Sequence, residues 1–179
     1  MGRCAVMRGD LEAAQPYYDK AVELYDDLIA RKILPPGRIY PDQYNDLLHD
    51  LARLERMRGN YEKSIELEQE CCDHNLKQFG RETVAAGYYY LGMGICWSKM
   101  GDYAKADEYM GKTLKLFMDH LGPASLQTME CREAIADSLQ ARGDWKGAST
   151  KLEEMLLDLE KYFGENNPLT IRIREKLSQ

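Results

Sequence analysis

A turn of glycine, a polar residue and an aromatic residue recurs every 42 residues and constrains this chain more than any other feature of its sequence. The three full copies begin at Gly59, Gly101 and Gly143, and a small residue follows five positions after each glycine. The further series that keep the same interval are Ala52, Gly94 and Ala136; Ser64, Ala106 and Ala148; and Gly80, Gly122 and Gly164. A period of this size indicates a repeat protein built from stacked helical units.

Each repeated turn is predicted to separate two helices. Glycine adopts the left-handed conformation without steric cost and can close the outgoing helix. The Asn or Asp that follows can accept a hydrogen bond from the first turn of the next helix. Asp102 is therefore expected to cap a helix running to about Leu121, and Asp144 one running to about Phe163. The small residues let the two antiparallel helices approach closely.

The middle repeat resembles the tetratricopeptide repeat. The residues that carry the resemblance are Tyr90, Met93, Gly94, Trp97, Gly101, Asp102, Tyr103, Ala106 and Met110. The interval of 42 residues, instead of the usual 34, is similar to the repeats of kinesin light chain. The resemblance implies an all-α fold, a right-handed α-solenoid of antiparallel helix pairs, with partners on the concave face lined by the first helices. No particular partner is implied, because the asparagines of the kinesin light chain groove are matched only by Asn45, one residue out of register.

The repeat interval predicts a single domain spanning residues 1–179. Its segments are 1–40, a truncated first repeat plus a Pro-rich insertion; 41–81, 82–123 and 124–165, three regular repeats; and 166–179, a terminal capping helix. Only eight residues precede Gly9, fewer than a full first helix needs. Either the first repeat has lost half of its first helix or the chain is part of a larger protein.

Composition limits the classes of partner and the compartment. A net charge of −6 argues against a nucleic-acid partner. The longest uncharged stretch, Val84 to Trp97, is too short to span a bilayer, and no secretory signal pattern opens the chain. The five cysteines are odd in number and fall mostly at expected interior positions. We therefore expect free thiols, a cytoplasmic protein and no membrane partner.

No residue pattern predicts catalysis, a metal or a cofactor. The three histidines lie in no nucleophile or triad context. Cys71 and His74 share a helix face, but no second ligand pair at zinc spacing exists. Every glycine-containing turn is explained by the repeat, which leaves no phosphate-binding loop.

The helical phase of Ala52, Gly94 and Ala136 predicts which side chains face the groove. The predicted groove residues are His49, Arg53, Arg56, Tyr88, Leu91, Ile95, Lys99, Glu130, Glu133 and Asp137. They run from basic through apolar to acidic along the chain, with Tyr88, Leu91 and Ile95 as the expected anchor. The alternatives are that the charged residues form an ordinary solvated face, and that Leu91 and Ile95 belong to the core if the phase is wrong by one residue.

The sequence therefore predicts a non-catalytic module that binds a peptide or protein segment in a concave groove. Two other functions remain open. The chain could be a regulatory or sensory segment of a larger multidomain protein, or an assembly piece that self-associates through exposed solenoid ends.

Overall fold

The computed structural model describes residues 10–31 and 42–178, and all regular secondary structure within these ranges is α-helical. The helices are α1 (Leu11–Ala30), α2 (Asp42–Arg58), α3 (Tyr61–Phe79), α4 (Val84–Met100), α5 (Tyr103–Leu121), α6 (Leu126–Ala141), α7 (Trp145–Phe163) and α8 (Pro168–Leu177). The all-α prediction is confirmed. Helices α5 and α7 begin directly after the predicted caps Asp102 and Asp144 and end at the predicted residues Leu121 and Phe163. The predicted Pro-rich insertion and Cys4 lie outside the described residues. No helix in the described ranges is long and apolar enough to cross a bilayer.

The turn glycines have the left-handed backbone that the repeat predicts. Gly101 has φ +83°, and all six glycines of the two turn series have positive φ. After Gly101, the Asp102 carboxylate accepts a hydrogen bond from Lys105 N at 3.2 Å. Asp144 accepts from Gly147 N at 2.9 Å. Because an acceptor at this position satisfies a free N–H of the first turn, helices α5 and α7 begin where the repeat places them.

Asn60 does not cap its helix, so the expectation of a side-chain cap is wrong for this repeat. Its Nδ2 instead donates to Glu55 Oε2 at 2.7 Å. Glu55 occupies the position that Trp97 and Leu139 hold in the later repeats, and Arg58 Nη1 lies 3.5 Å from its carboxylate. An amide can donate to a carboxylate whereas an aspartate cannot. Asn60 therefore binds the carboxylate that replaces an apolar residue, and the helix loses its side-chain cap.

The chain forms two compact units, one ending at Cys96 and one beginning at Trp97. In the first unit, α2 packs on both α1 and α3. In the second, α6 packs on α5 and α7, and α7 also packs on α8. The small residues predicted at the helix contacts are all buried. A core cluster of the second unit consists of Met129, Ala136, Leu152, Met155, Leu159 and Ile173. Packing of second helices on first helices within each unit is thus the basis of the fold.

Candidate functional site

Two of the predicted groove residues on α2 contact a buried carboxylate. His49 Nδ1 lies 2.8 Å from Glu68 Oε2, and Arg56 Nη1 lies 3.7 Å from Glu68 Oε1. Glu68 comes from α3 and has no exposed surface. The third predicted residue of this helix, Arg53, is exposed. The structure therefore brings His49 and Arg56 together at Glu68 and leaves Arg53 as the exposed cation on this face.

Helix α4 leaves room for this buried carboxylate cluster, which consists of Glu68, His49 and Arg56. A Cβ at Gly92 would overlap Glu68 Oε1, so glycine is required for the carboxylate to lie there. Burial raises the pKa of Glu68, although the hydrogen bond and charge of His49 and the charge of Arg56 act to lower it. The His49 ring also packs on Tyr89, with ring centroids 5.5 Å apart.

The sequence contains a signal for Glu68 that the helical phase of the groove does not include. Counting by the 42-residue interval, Glu68 occupies the position of Met110 and Leu152 in the later repeats. Both of those residues are buried. A charged residue at an otherwise apolar core position requires a partner, because an unpaired buried charge is costly. The register alone could therefore have indicated a polar cluster in this repeat.

A second polar cluster consists of Asn45, Cys71 and His74. His74 Nδ1 lies 3.0 Å from Asn45 Oδ1, and Cys71 Sγ donates to the Asn45 carbonyl oxygen at 3.5 Å. All three residues are buried. Burial lowers the pKa of His74 and raises that of Cys71. Asn45 therefore lies in the interior of the first unit, where it holds α3 against α2.

Tyr88, Leu91 and Ile95 are half-buried and lie on one side of α4. They are spaced by three and four residues, so they form a continuous stripe on a helix. The opposite side of the helix contributes Met93 and Cys96 to the interior. No charged residue occurs from Thr83 to Ser98, so this helix has no polar face along most of its length. The stripe is the most apolar part of the predicted groove surface.

The acidic residues predicted on α6 are mostly paired with α8. Glu133 Oε2 accepts from Arg172 Nη2 at 2.6 Å, and its Oε1 accepts from Lys176 Nζ at 3.2 Å. Lys176 Nζ also donates to Asp137 at 2.5 Å. Burial lowers the pKa of Lys176, but the hydrogen bonds and charges of Asp137 and Glu133 outweigh it and raise the pKa. Glu130 is exposed, as is Lys99 of α4.

The cysteines in the described ranges, Cys71, Cys72, Cys96 and Cys131, are buried and form no disulfide. Burial raises the pKa of the Cys131 thiol to about 12. A thiol with so high a pKa is a poor nucleophile at neutral pH, because the reactive species is the thiolate. Among the described residues, no group of three or more His, Cys, Asp or Glu side chains is arranged to hold a metal ion.

The described helices and the 42-residue interval define the class of this protein as an all-α helical-repeat protein of the α-solenoid type. A family model described as tetratricopeptide repeat matches residues 2–28. This match covers part of the chain, and it agrees with the resemblance to the tetratricopeptide repeat that the sequence predicts. Tetratricopeptide repeats generally mediate protein–protein interactions.

Solved structures share this fold. The crystal structure of BtubC (BKLC) from P. vanneervenii has a TM-score of 0.78 and 16% sequence identity, covering 98% of this chain and 67% of that chain. A putative kinesin light chain of Podospora anserina with nearly identical TPR-like repeats has a TM-score of 0.70 and 17% identity, covering 99% and 80%. No curated protein has a significant sequence match to this chain. At 16–17% identity, the similarity to these structures concerns the fold alone.

Proposed function

We propose that this protein is a non-catalytic binding module for a peptide or protein segment, anchored by the stripe Tyr88, Leu91 and Ile95. The observation that carries the proposal is that these three side chains stay half-buried on a helix without a polar face. A helix that is apolar on all sides is normally covered on all sides. A partner that covers the stripe would complete the burial of α4.

The neighbouring first helix suggests the chemistry of the bound segment. Arg53 occupies on α2 the position that Ile95 occupies on α4, and it is exposed. Neighbouring packed helices lie about 8–10 Å apart. A segment with an aliphatic or aromatic residue for the stripe and an acidic residue about 10 Å away fits this surface. The net charge of −6 makes protein a more suitable partner class than nucleic acid or an anionic membrane.

The acidic residues of α6 are expected to contribute less to binding than the stripe on α4. Glu133 and Asp137 already bind Arg172 and Lys176 of α8. A basic ligand would have to compete with these ion pairs, so its gain in free energy would be small. Glu130 is exposed and can contribute a further contact.

Selection from a random peptide library tests the proposal. Peptides that bind the wild-type protein are expected to lose at least about tenfold in affinity, or about 1.4 kcal/mol, for the double variant Tyr88→Ala with Leu91→Ala. Leu76→Ala is the matched control, because Leu76 is an exposed leucine on the second helix α3. Circular dichroism is expected to show nearly unchanged helicity and melting temperature for the double variant.

Three results would contradict the assignment. If the double variant unfolds, Tyr88 and Leu91 are core residues and the groove phase is wrong. If the variant folds and the selected peptides bind it as well as they bind the wild type, the stripe is not the anchor. Equal losses for Leu76→Ala would show that the effect is not specific to α4.

A further inference from the structure

We propose that His49 makes the binding of an acidic segment depend on pH, because its free ring nitrogen takes up a proton and then attracts a carboxylate of the segment. This inference rests on the proposed function, since it concerns the acidic residue expected beside Arg53. It is carried by the position of one side chain on α2, which binds a buried carboxylate through one nitrogen and remains partly exposed.

One ring nitrogen of His49 is occupied by Glu68. Nδ1 lies 2.8 Å from Glu68 Oε2 and 3.1 Å from Oε1. At these distances a proton lies between the nitrogen and the carboxylate, because a bare ring nitrogen and a bare carboxylate oxygen are both acceptors and repel each other. The ring also packs on Tyr89, with centroids 5.5 Å apart. Two contacts therefore fix the orientation of the imidazole.

The other ring nitrogen, Nε2, is where the pair of His49 and Glu68 can gain or lose a proton. The side chain of His49 is 28% exposed, whereas that of Glu68 is 0% exposed. In the part of the chain that the structure describes, the hydrogen bonds and the ion pair of His49 are all made by Nδ1. With Nε2 bare the pair carries one negative charge, and with Nε2 protonated its charges balance. The pair therefore titrates as a unit, and a ligand can act on it through His49.

The other titratable groups that face this pair keep one charge state near neutral pH. Burial raises the pKa of Cys71 on α3 and of Tyr89 and Cys96 on α4, so these three side chains stay uncharged. On α2, Arg56 Nη1 lies 3.7 Å from Glu68 Oε1, and its charge is permanent. A change of charge near neutral pH is thus confined to the pair itself.

Fixed charges along α2 act on His49 in both directions. Asp46, three residues earlier, favours a protonated ring, and Arg53, four residues later, opposes it. Side chains at these spacings are separated by about 5–6 Å between Cβ atoms. The carboxylate of Glu68 is much closer, at 2.8 Å, and charge interactions weaken with distance. Burial also raises the pKa of Glu68, which favours retention of a proton by the pair.

A carboxylate bound at Arg53 would lie one helical turn from His49. Arg53 is exposed and four residues away, so both side chains are on the same side of α2. A protonated Nε2 attracts such a carboxylate and can donate a charge-assisted hydrogen bond to it, whereas a bare Nε2 is an acceptor and repels it. Binding of an acidic segment is therefore linked to the uptake of up to one proton, and the affinity should rise as the pH falls.

The test compares a library-selected peptide that contains an acidic residue with its analogue in which Asn or Gln replaces each Asp or Glu. Isothermal titration calorimetry measures both affinities. The acidic peptide is expected to bind the wild type about two- to fivefold more tightly at about pH 6 than at about pH 8, which is the range for an exposed ion pair. The analogue is expected to bind equally at the two pH values. Titrations in two buffers of different ionisation enthalpy should show proton uptake for the acidic peptide only.

His49→Gln is the decisive variant, because glutamine can still donate a hydrogen bond to Glu68 but does not titrate. Once circular dichroism shows that it is folded, it is expected to bind the acidic peptide equally at both pH values and without proton uptake. His120→Gln is the matched control, since His120 is an exposed histidine at the end of α5, and it should keep the pH dependence of the wild type. If His49→Gln does not fold, the two peptides on the wild type decide the test.

The outcomes distinguish this inference from the proposed function. Binding of the acidic peptide with equal affinity at the two pH values would overturn the inference alone, and so would a pH dependence that persists in His49→Gln or is lost in His120→Gln. Selected peptides that contain no acidic residue would also overturn it while leaving the binding groove in place. A library that yields no binding peptide would overturn the proposed function and this inference with it.

Discussion

Single glycines fix the backbone at the turns between helices. A Cβ at Gly101 would meet no atom within 4 Å, so the constraint at this position is the backbone conformation and not space. Its φ of +83° is unfavourable for a β-branched residue. Gly101→Val is expected to cost about 1–3 kcal/mol of unfolding free energy, measured by urea denaturation.

A glycine inside a helix provides the matched control for this substitution. Gly111 lies within α5, where a Cβ would also meet nothing within 4 Å and where φ is not positive. Gly111→Ala is expected to stabilise the protein by about 0.5–1 kcal/mol, because glycine loses more conformational freedom in a helix than alanine does. Equal effects of the two substitutions would contradict the assigned role of the turn glycine.

Glu68 should give the stability of the protein a specific pH dependence. Burial raises its pKa above 4.5 in the folded protein. A carboxyl whose pKa is raised on folding contributes stability that is fully present below about pH 4.5 and is lost as the pH rises through the folded-state pKa. The unfolding free energy of the wild type minus that of Glu68→Gln should therefore fall as the pH rises above 4.5.

Urea denaturation at a series of pH values measures this difference. Glu66→Gln is the matched control, since Glu66 is an exposed carboxyl on the same helix. A difference between wild type and Glu68→Gln that rises with pH would show that the ion pairs with His49 and Arg56 dominate over burial. That result would reverse the sign of the pH dependence that is assigned to Glu68.

At the level of helices, the first regular repeat differs from the later two, because only the later two have a side-chain cap at the start of the second helix. Asp102→Ala and Asp144→Ala each remove an acceptor from a first-turn N–H, at Lys105 and Gly147 respectively. Asp144→Ala is expected to cost about 1 kcal/mol of unfolding free energy, and Asp102→Ala is expected to lower the unfolding free energy as well. Both substitutions should also speed amide hydrogen exchange in the first turn of α5 or α7.

Asn60 provides an internal comparison for the caps. Its side chain binds Glu55 and no first-turn amide. Asn60→Ala should therefore leave exchange in the first turn of α3 unchanged, whatever its effect on stability. Faster exchange there would indicate that Asn60 caps α3 in solution.

The helices could be predicted from the sequence because their ends are encoded locally. Gly101 ends one helix through its backbone conformation, and Asp102 starts the next through one short hydrogen bond. Both residue types can be recognised in the sequence. The surroundings of the candidate site are not encoded in this way. His49, Arg56 and Glu68 meet only because two helices pack together, and helical phase alone does not specify which side chains pair across them.

The same limit explains the acidic part of the predicted groove. The phase places Glu133 and Asp137 on one side of α6, and they do lie there together. It does not indicate that Lys176, about forty residues later, binds both. The repeat interval predicts where α8 begins, but the ion pairs depend on how α8 packs in the second unit.

At the level of the whole molecule, peptide binding and helix capping should be separable. The stripe on α4 shares no residue with the cap at Asp144. Changes at sites without shared partners usually have additive effects. Asp144→Ala should therefore leave the affinity for a selected peptide within about twofold, as a titration of the folded variant would measure. Loss of binding in this variant would show that the stripe and the cap are coupled.

The central claim is that the stripe on α4 contacts the bound segment. The most direct measurement is NMR of protein labelled at Leu and Ile methyl groups, titrated with a library-selected peptide. Saturable chemical-shift changes are expected at Leu91 and Ile95, with little change at the exposed Leu76 and Leu157. Shifts confined to Leu76 or Leu157, or a saturating peptide that leaves Leu91 and Ile95 unchanged, would contradict it.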